Sequence, residues 1–230
     1  MHDGALGCAT HLVRRYLSGD YTGGLFDPHG YEPDNRITRS DLLAVRSLSM
    51  VRFGRKEFLR KTGAVLDDDD AASASCTTRE CTIHVGCLLR QLPVTSTIFT
   101  MTSAQLALAN GPLWNLLESL FKRTDGEAGA ASLSKTLARK RPALLPIIDG
   151  VALRRIQRAG GPGPKKGRNW EFLRNEILAS SLVVPGVAAV RADARVPDHY
   201  QDLRIIDIVV WMRQHVPGRL SIDVDSCQPL

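Results

Sequence analysis

The chain has 230 residues, 43% of them apolar and 23% charged, with a net charge of +6. That length buries a core without disulfide or metal staples, and the absence of any run of about 18 apolar residues excludes a transmembrane helix. Aromatic residues make up only 6% of the chain, so the core must rest on Leu, Ile, Val and Ala, a composition that favours helices over strands.

Taken in chain order, Ala5–Leu17 reads as a short helix ended by Ser18–Gly19. A Gly-, Pro- and Asp-rich stretch from Asp20 to Asn35 reads as an ordered loop. Thr38 and Asp41 have capping-box spacing ahead of Leu42, Leu43, Val45 and Leu48, a helix start. Glu57–Lys61 reads as a second short helix, and the acidic run Asp67–Asp70 as a cap that complements a helix dipole. Glu80–Leu92 fits an amphipathic helix with Cys81, Val85, Leu88, Leu89 and Leu92 inward. Ser103–Ala109 and Pro112–Phe121 read as two helices split at Gly111–Pro112, with the proline at a first helical position. Leu133–Lys140 is helical and stops before Pro142, and Asp149–Arg158 is helical again. The segment from Gly160 to Gly167 is low in complexity and reads as a flexible, positively charged loop. Trp170–Ala179 is helical, Leu182–Val190 reads as a short strand or an irregular buried run, and Tyr200–His215 is a strongly apolar helix closed by Pro217–Gly218. The expected organisation is a mostly α single domain. Residues 1–36 are an N-terminal helix and ordered loop packed on a core of 37–216, followed by a tail of 217–230.

Cys76, Cys81, His84 and Cys87 are all zinc-ligand types. On an unbroken helix, however, Cys81 and Cys87 lie about 120° apart around the axis, so buried structural cysteines are the expectation and no metal is assigned. Five cysteines, odd in number and unevenly placed, fit a reducing compartment better than a disulfide framework. Met1–Arg14 shows no charged leader before an apolar stretch, so a cytoplasmic location without a membrane partner is expected. No P-loop, G-x-G-x-x-G or G-x-S-x-G motif occurs, and no cofactor is implied. Ser134–Lys135 is discounted because no supporting motif accompanies it.

The charge excess is local. Twelve Lys or Arg stand against three acids, Asp125, Glu127 and Asp149, between Lys122 and Arg168. A basic zone on a non-basic body is the footprint expected of phosphate contact. Within it, a basic helix ends at Pro142, a short apolar connection follows, and Asp149 opens a second basic helix. Asp is a favoured N-cap, which by itself explains Asp149. A carboxylate at the mouth of a cationic segment also suits the stabilisation of a developing cation. Asp207, inside the apolar run Leu203–Met212, needs a partner because an unpaired buried charge is costly. Arg141 or another basic residue of the central segment is the candidate, and Asp207 reads as structural.

The phrases Ser134-Lys-Thr-Leu-Ala-Arg-Lys-Arg-Pro142, Leu145-Pro-Ile-Ile-Asp149 and Leu203-Arg-Ile-Ile-Asp-Ile-Val-Val-Trp-Met212 resemble a bacterial family described only as a domain of unknown function. More remotely, Pro146-Ile-Ile-Asp149-Gly-Val-Ala-Leu-Arg154-Arg155 is similar to the segment after the hairpin in helix-hairpin-helix DNA glycosylases. That resemblance implies a DNA-phosphate-binding hairpin at Gly126–Gly129 and a catalytic carboxylate at Asp149. The sequence departs from the pattern at the hairpin, where Asp125 and Glu127 would repel phosphate and no lysine takes the lyase position.

The leading expectation is a nucleic-acid-binding helical protein. Its phosphate contacts would come from Gly126, Gly129, Lys135, Arg139, Lys140, Arg154, Arg155, Lys165 and Lys166, with DNA or another nucleic acid as partner. The enzyme alternative is a monofunctional DNA N-glycosylase with Asp149 as catalytic carboxylate and an apolar pocket beside it, lined by Trp114 or Trp170. A third reading is a small-molecule enzyme or interaction protein with its site in the Asp20–Asn35 loop.

Overall fold

A computed structural model describes residues 2–20, 26, 35–48, 84–122, 130–161 and 168–215, and all regular structure among them is helical. The first helix, α1 (His2–Arg15), runs on into a π-helical turn at Tyr16–Asp20. Helix α2 (Arg39–Ser47) starts with the capping box read from its sequence. The Thr38 hydroxyl accepts from the Asp41 N–H at 3.3 Å, and the Asp41 carboxylate accepts from the Thr38 N–H at 2.8 Å. Helix α3 (Val85–Arg90) is the described part of the expected amphipathic Glu80–Leu92 segment. The regions expected as a helix at Glu57–Lys61 and an acidic cap at Asp67–Asp70 lie outside the described residues.

Helix α4 (Ser103–Leu108) opens on a second capping box, Thr102 with Gln105, and α5 covers Trp114–Lys122. The expected split at Gly111–Pro112 is absent. Ala109–Leu113 forms a π-helical turn that carries Pro112 inside it and delivers the chain into α5. The wider turn absorbs a residue that lacks the N–H an α-helix needs. Helices α6 (Ala130–Lys140) and α7 (Gly150–Arg158) flank the connection through Pro142 and Pro146. Helix α7 closes in a Schellman motif: Gly160 sits at φ +79°, and the Gly161 N–H donates to the Ile156 carbonyl at 2.8 Å.

Helix α8 spans Arg168–Ala179, α9 spans Val183–Ala194 and α10 spans Asp202–His215. The expected strand or irregular run at Leu182–Val190 is therefore a helix. Its valines have strand propensity, but packing against α1 and α10 overrides so weak a prior. Pro185 lies in the first turn, where no N–H is required. No single helix among the described residues is long and apolar enough to cross a membrane.

Among the described residues the apolar side chains form two large clusters and two small ones. The larger gathers Leu42, Leu88, Leu89, Leu92, Leu113, Leu117, Leu133, Leu137 and the edge-to-face pair Trp114–Trp170, whose ring centroids lie 5.2 Å apart. The second joins α1, α9 and α10 through Leu12, Val13, Val190, Ile205, Ile208 and Met212. The connection from Pro142 to Asp149 runs along the seam between them, with Ile147 packed among Phe26, Val45 and Ala138.

Charge is also used inside. The Asp41 carboxylate is fully buried and takes the Arg139 Nε at 2.9 Å and the Lys140 Nζ at 2.6 Å. Arg139 further donates to the Phe26 carbonyl and lies over the Phe26 ring. This group ties α2 to the end of α6. Replacing Asp41 by Asn strands two buried cations, so it is expected to cost about 3–5 kcal/mol in urea unfolding. A loss under about 1 kcal/mol, the scale of an exposed pair, would contradict the buried network.

Candidate functional site

The connection between α6 and α7 turns through Pro142–Leu144 and then runs without regular structure to Asp149, and side chains from three helices bond its second half. The Pro146 carbonyl accepts from the Ser134 hydroxyl at 3.3 Å and from the Trp170 indole N–H at 3.2 Å. The Ile148 N–H donates to the Ser134 hydroxyl at 2.6 Å, and the Ile147 N–H to the Asp207 carboxylate at 3.2 Å. Buried backbone groups must be paired, so these bonds fix the path that leads to Asp149. Asp149 then caps α7, accepting from the Ala152 N–H at 3.0 Å.

Asp149 is also half-buried on the wall of a cavity of about 70 Å³. Lys135, Arg204, Asp207, Tyr16 and Trp211 line the same cavity. Arg204 donates to the Tyr16 hydroxyl at 2.7 Å and lies over the Tyr16 and Phe26 rings, 5.6 and 5.2 Å from their centroids. The Lys135 ammonium donates to the Leu48 carbonyl at 2.9 Å. Burial pushes its pKa down, Asp149 opposes that shift and Arg204 adds to it. Two carboxylates face two cationic side chains, so the cavity is close to charge-balanced and presents acceptors and donors together. Tyr16 begins the first π-helical turn, a feature frequent at functional sites.

Several expectations are corrected. Lys135, Arg139 and Lys140 were expected on a phosphate-binding surface, but they are 7%, 2% and 0% exposed. The first faces the cavity and the other two are ion-paired with the one carboxylate of Asp41. Arg141 is directed at the end of α3. It is 1% exposed, and its guanidinium donates to the Leu89 and Leu92 carbonyls at the end of α3 and to Asn35. It is structural, but as a helix C-cap. Asp207 accepts from the Ile147 N–H and lines the cavity. Trp114 and Trp170 are buried in the larger core, and Trp211 takes the place expected of them beside Asp149. The discounted Ser134–Lys135 pair belongs to the site, one residue holding the connection and the other facing the cavity.

Of the remaining phosphate-binding candidates, Arg154 is exposed and Arg155 half-buried, both on α7 with the exposed Arg158. The Arg154 guanidinium folds back over the first turn, 3.6 Å from where a Cβ on Gly150 would stand. Partial burial and the nearby charge of Arg155 lower the pKa of Arg213 on α10, so cationic charge continues from α7 onto its neighbour. Gly126, Gly129, Lys165 and Lys166 lie outside the described residues, as do Cys76 and Cys81. Among the described residues no three metal-ligand side chains converge. Cys87 is a buried thiol that accepts from the Arg90 guanidinium at 3.0 Å, whereas Cys8 is disulfide-bonded, a pairing the uneven cysteine spacing did not foretell. A larger groove of about 480 Å³ lies between α1, α9 and α10, but no ionisable side chain lines it among the described residues.

The chain belongs to a family of unknown function, DUF6308, whose model matches residues 9–214. No curated protein and no solved structure matches it.

The state of Lys135 has a measurable consequence. Folding disfavours its charged form, so in the window between its lowered pKa and the ordinary 10.5 the unfolded chain binds more protons. Lys135 therefore makes stability rise as pH climbs toward 10.5. The difference in urea midpoint between wild type and Lys135→Met is expected to shift in favour of wild type over that range. Parallel pH profiles for the two proteins would contradict a desolvated Lys135.

Proposed function

We propose that the protein hydrolyses N-glycosidic bonds of nucleic-acid bases, with Asp149 as the catalytic carboxylate and the arginines of α7 as phosphate contacts. The observation that carries this reading is the cavity itself, where Asp149 meets Lys135, Asp207 and Arg204 at the start of a helix whose outer face is basic. As the bond from sugar C1′ to the base nitrogen lengthens, positive charge develops on the sugar. A fixed carboxylate in a partly dry site stabilises it. A water oxygen bonds C1′ as the bond to nitrogen breaks. One proton of that water passes by way of a cavity carboxylate to the departing nitrogen, and the other stays on the new C1′ hydroxyl. A base drawn out of the stack is needed to bring C1′ to Asp149. Arg154, Arg155 and Arg158 then hold the flanking backbone, a role transferred from α6 to α7 because the α6 cations are internal.

A non-catalytic reading has one observation in its favour: the bond from the Ala152 N–H to Asp149 is a complete structural role. The two readings separate cleanly because Asn and Asp are equivalent N-caps. Asp149→Asn keeps the cap and removes the charge, so it is expected to retain stability and to lower base release by about 10²–10³-fold. Asp149→Ala is expected to lose about 1 kcal/mol of stability as well. The assay is release of free base from duplexes carrying damaged bases, at low salt. Equal release by wild type and Asp149→Asn, or none by either with duplex bound, leaves Asp149 as a cap alone. Absence of duplex binding at low salt overturns the nucleic-acid reading altogether, because phosphate contacts are strongest there.

A further inference from the structure

The groove between α1, α9 and α10 holds about 480 Å³, against about 70 Å³ beside Asp149, and the two share only Val210 among the described residues. Its walls are aliphatic. Leu6 of α1, Val183 and Val190 of α9, and Ile206 and Val209 of α10 form them, with no aromatic or ionisable side chain among the described residues. Ser180 carries the one hydroxyl described there, and it accepts from the Leu182 N–H at 3.4 Å. A buried water needs about two to four polar partners, so water fills this space poorly. Leu182, on the wall, is 53% exposed, and Leu178 and Val184 beside it in the chain are 47% and 51% exposed. Single exposed apolar residues are ordinary, but a cluster bordering an apolar groove marks a binding site.

Gly186 stands at the centre of the α9 wall. Leu182, Gly186 and Val190 recur along it at helical spacing, and a Cβ added to Gly186 would meet nothing within 4 Å. Glycine is the weakest helix former after proline, so α9 gives up stability at this position and leaves the groove wide. The lined length of α9, from Leu182 to Val190, is about 12 Å at 1.5 Å per residue. The volume takes roughly 10–14 methylene-sized groups at ~30 Å³ each, the share of a water molecule. An elongated aliphatic groove of that size matches an unbranched hydrocarbon chain. Charge selects the head of the chain. Arg14 at the end of α1 donates to the Asp193 carbonyl at the end of α9, and Arg204 near the start of α10 donates to the Tyr16 hydroxyl just past α1. Helix α10 therefore runs antiparallel to the other two. Val209 and Val210 line the groove where α1 and α9 begin, and Arg213 follows one turn further along α10. Arg155 and Arg213 crowd cationic charge at that end, which favours an anionic head over a cationic one.

We infer that this groove binds the hydrocarbon chain of a free fatty acid, with the carboxylate left in water at the end marked by Arg213. The site is independent of the hydrolase reading, and its test needs no nucleic acid.

The test is calorimetric titration of the full chain with octanoate, decanoate and dodecanoate, each below its critical micelle concentration. Each added methylene is expected to tighten binding by wild type about threefold to fourfold, the worth of burying one such group. Gly186→Leu starts its side chain in open space and lays it across the groove. It is expected to weaken dodecanoate about tenfold or more, with a melting temperature no lower than that of wild type. Gly186→Ala adds one methyl and is expected to weaken dodecanoate about fourfold, and it decides the matter if the leucine variant fails to fold. Dodecyltrimethylammonium, with the same chain and the opposite charge, is expected to bind wild type several-fold more weakly than dodecanoate. No dodecanoate binding at millimolar concentration, binding that neither Gly186 variant weakens, or equal binding of the ammonium overturns the inference. So does capture of wild type on anionic phospholipid vesicles without affinity for dodecanoate, which makes the apolar rim a membrane contact instead.

Discussion

The burial of Asp41 between Arg139 and Lys140 constrains the rest of the molecule. Taking three charges out of water costs several kcal/mol per ion, and mutual attraction repays it only when hydrogen bonds complete the geometry. Here they do: the Thr38 N–H and hydroxyl also donate to Asp41, and the Phe26 carbonyl accepts from Arg139. A network that must be satisfied together or not at all permits one arrangement of α2 on α6. It thereby sets where α6 ends and in which direction Pro142 leads the chain.

The candidate site inherits its position from that constraint. The connection leaving α6 crosses the seam between the two cores, and its backbone is held by Ser134, Trp170 and Asp207 from three different helices. Asp149 and Asp207 each accept a backbone hydrogen bond, and both line a cavity whose wall also includes Lys135 and Arg204. Carboxylates fixed in this way need little reorganisation when charge develops nearby, the condition under which electrostatic stabilisation is most effective.

Much of the helical pattern was legible because it depends on local chemistry. The Thr38–Asp41 capping box, the stop before Pro142 and the start of α7 at Asp149 each involve residues within a few positions of one another. Long-range facts were not legible. Density of Lys and Arg along the chain says nothing about which of them meet a carboxylate nearly a hundred residues away, so Arg139 and Lys140 read as surface when they are core. For Asp207 the apolar run around it signals a need for a partner, but not that the Ile147 N–H, sixty residues away, donates to it. Thr102–Gln105 forms a capping box whose spacing was available to find α4. At Leu182–Val190 the valine-rich composition pointed to a strand, and only the packing of α9 on α1 and α10 decides for a helix.

The central claim is that the cations of α6 are interior groups, and the most direct measurement is amine acylation followed by mass spectrometry. In the native protein Lys135 and Lys140 are expected to resist acylation under conditions that modify both fully once the chain is unfolded in urea. Acylation of native Lys140 as fast as in the unfolded chain would contradict the claim. That result would return the α6 cations to the surface.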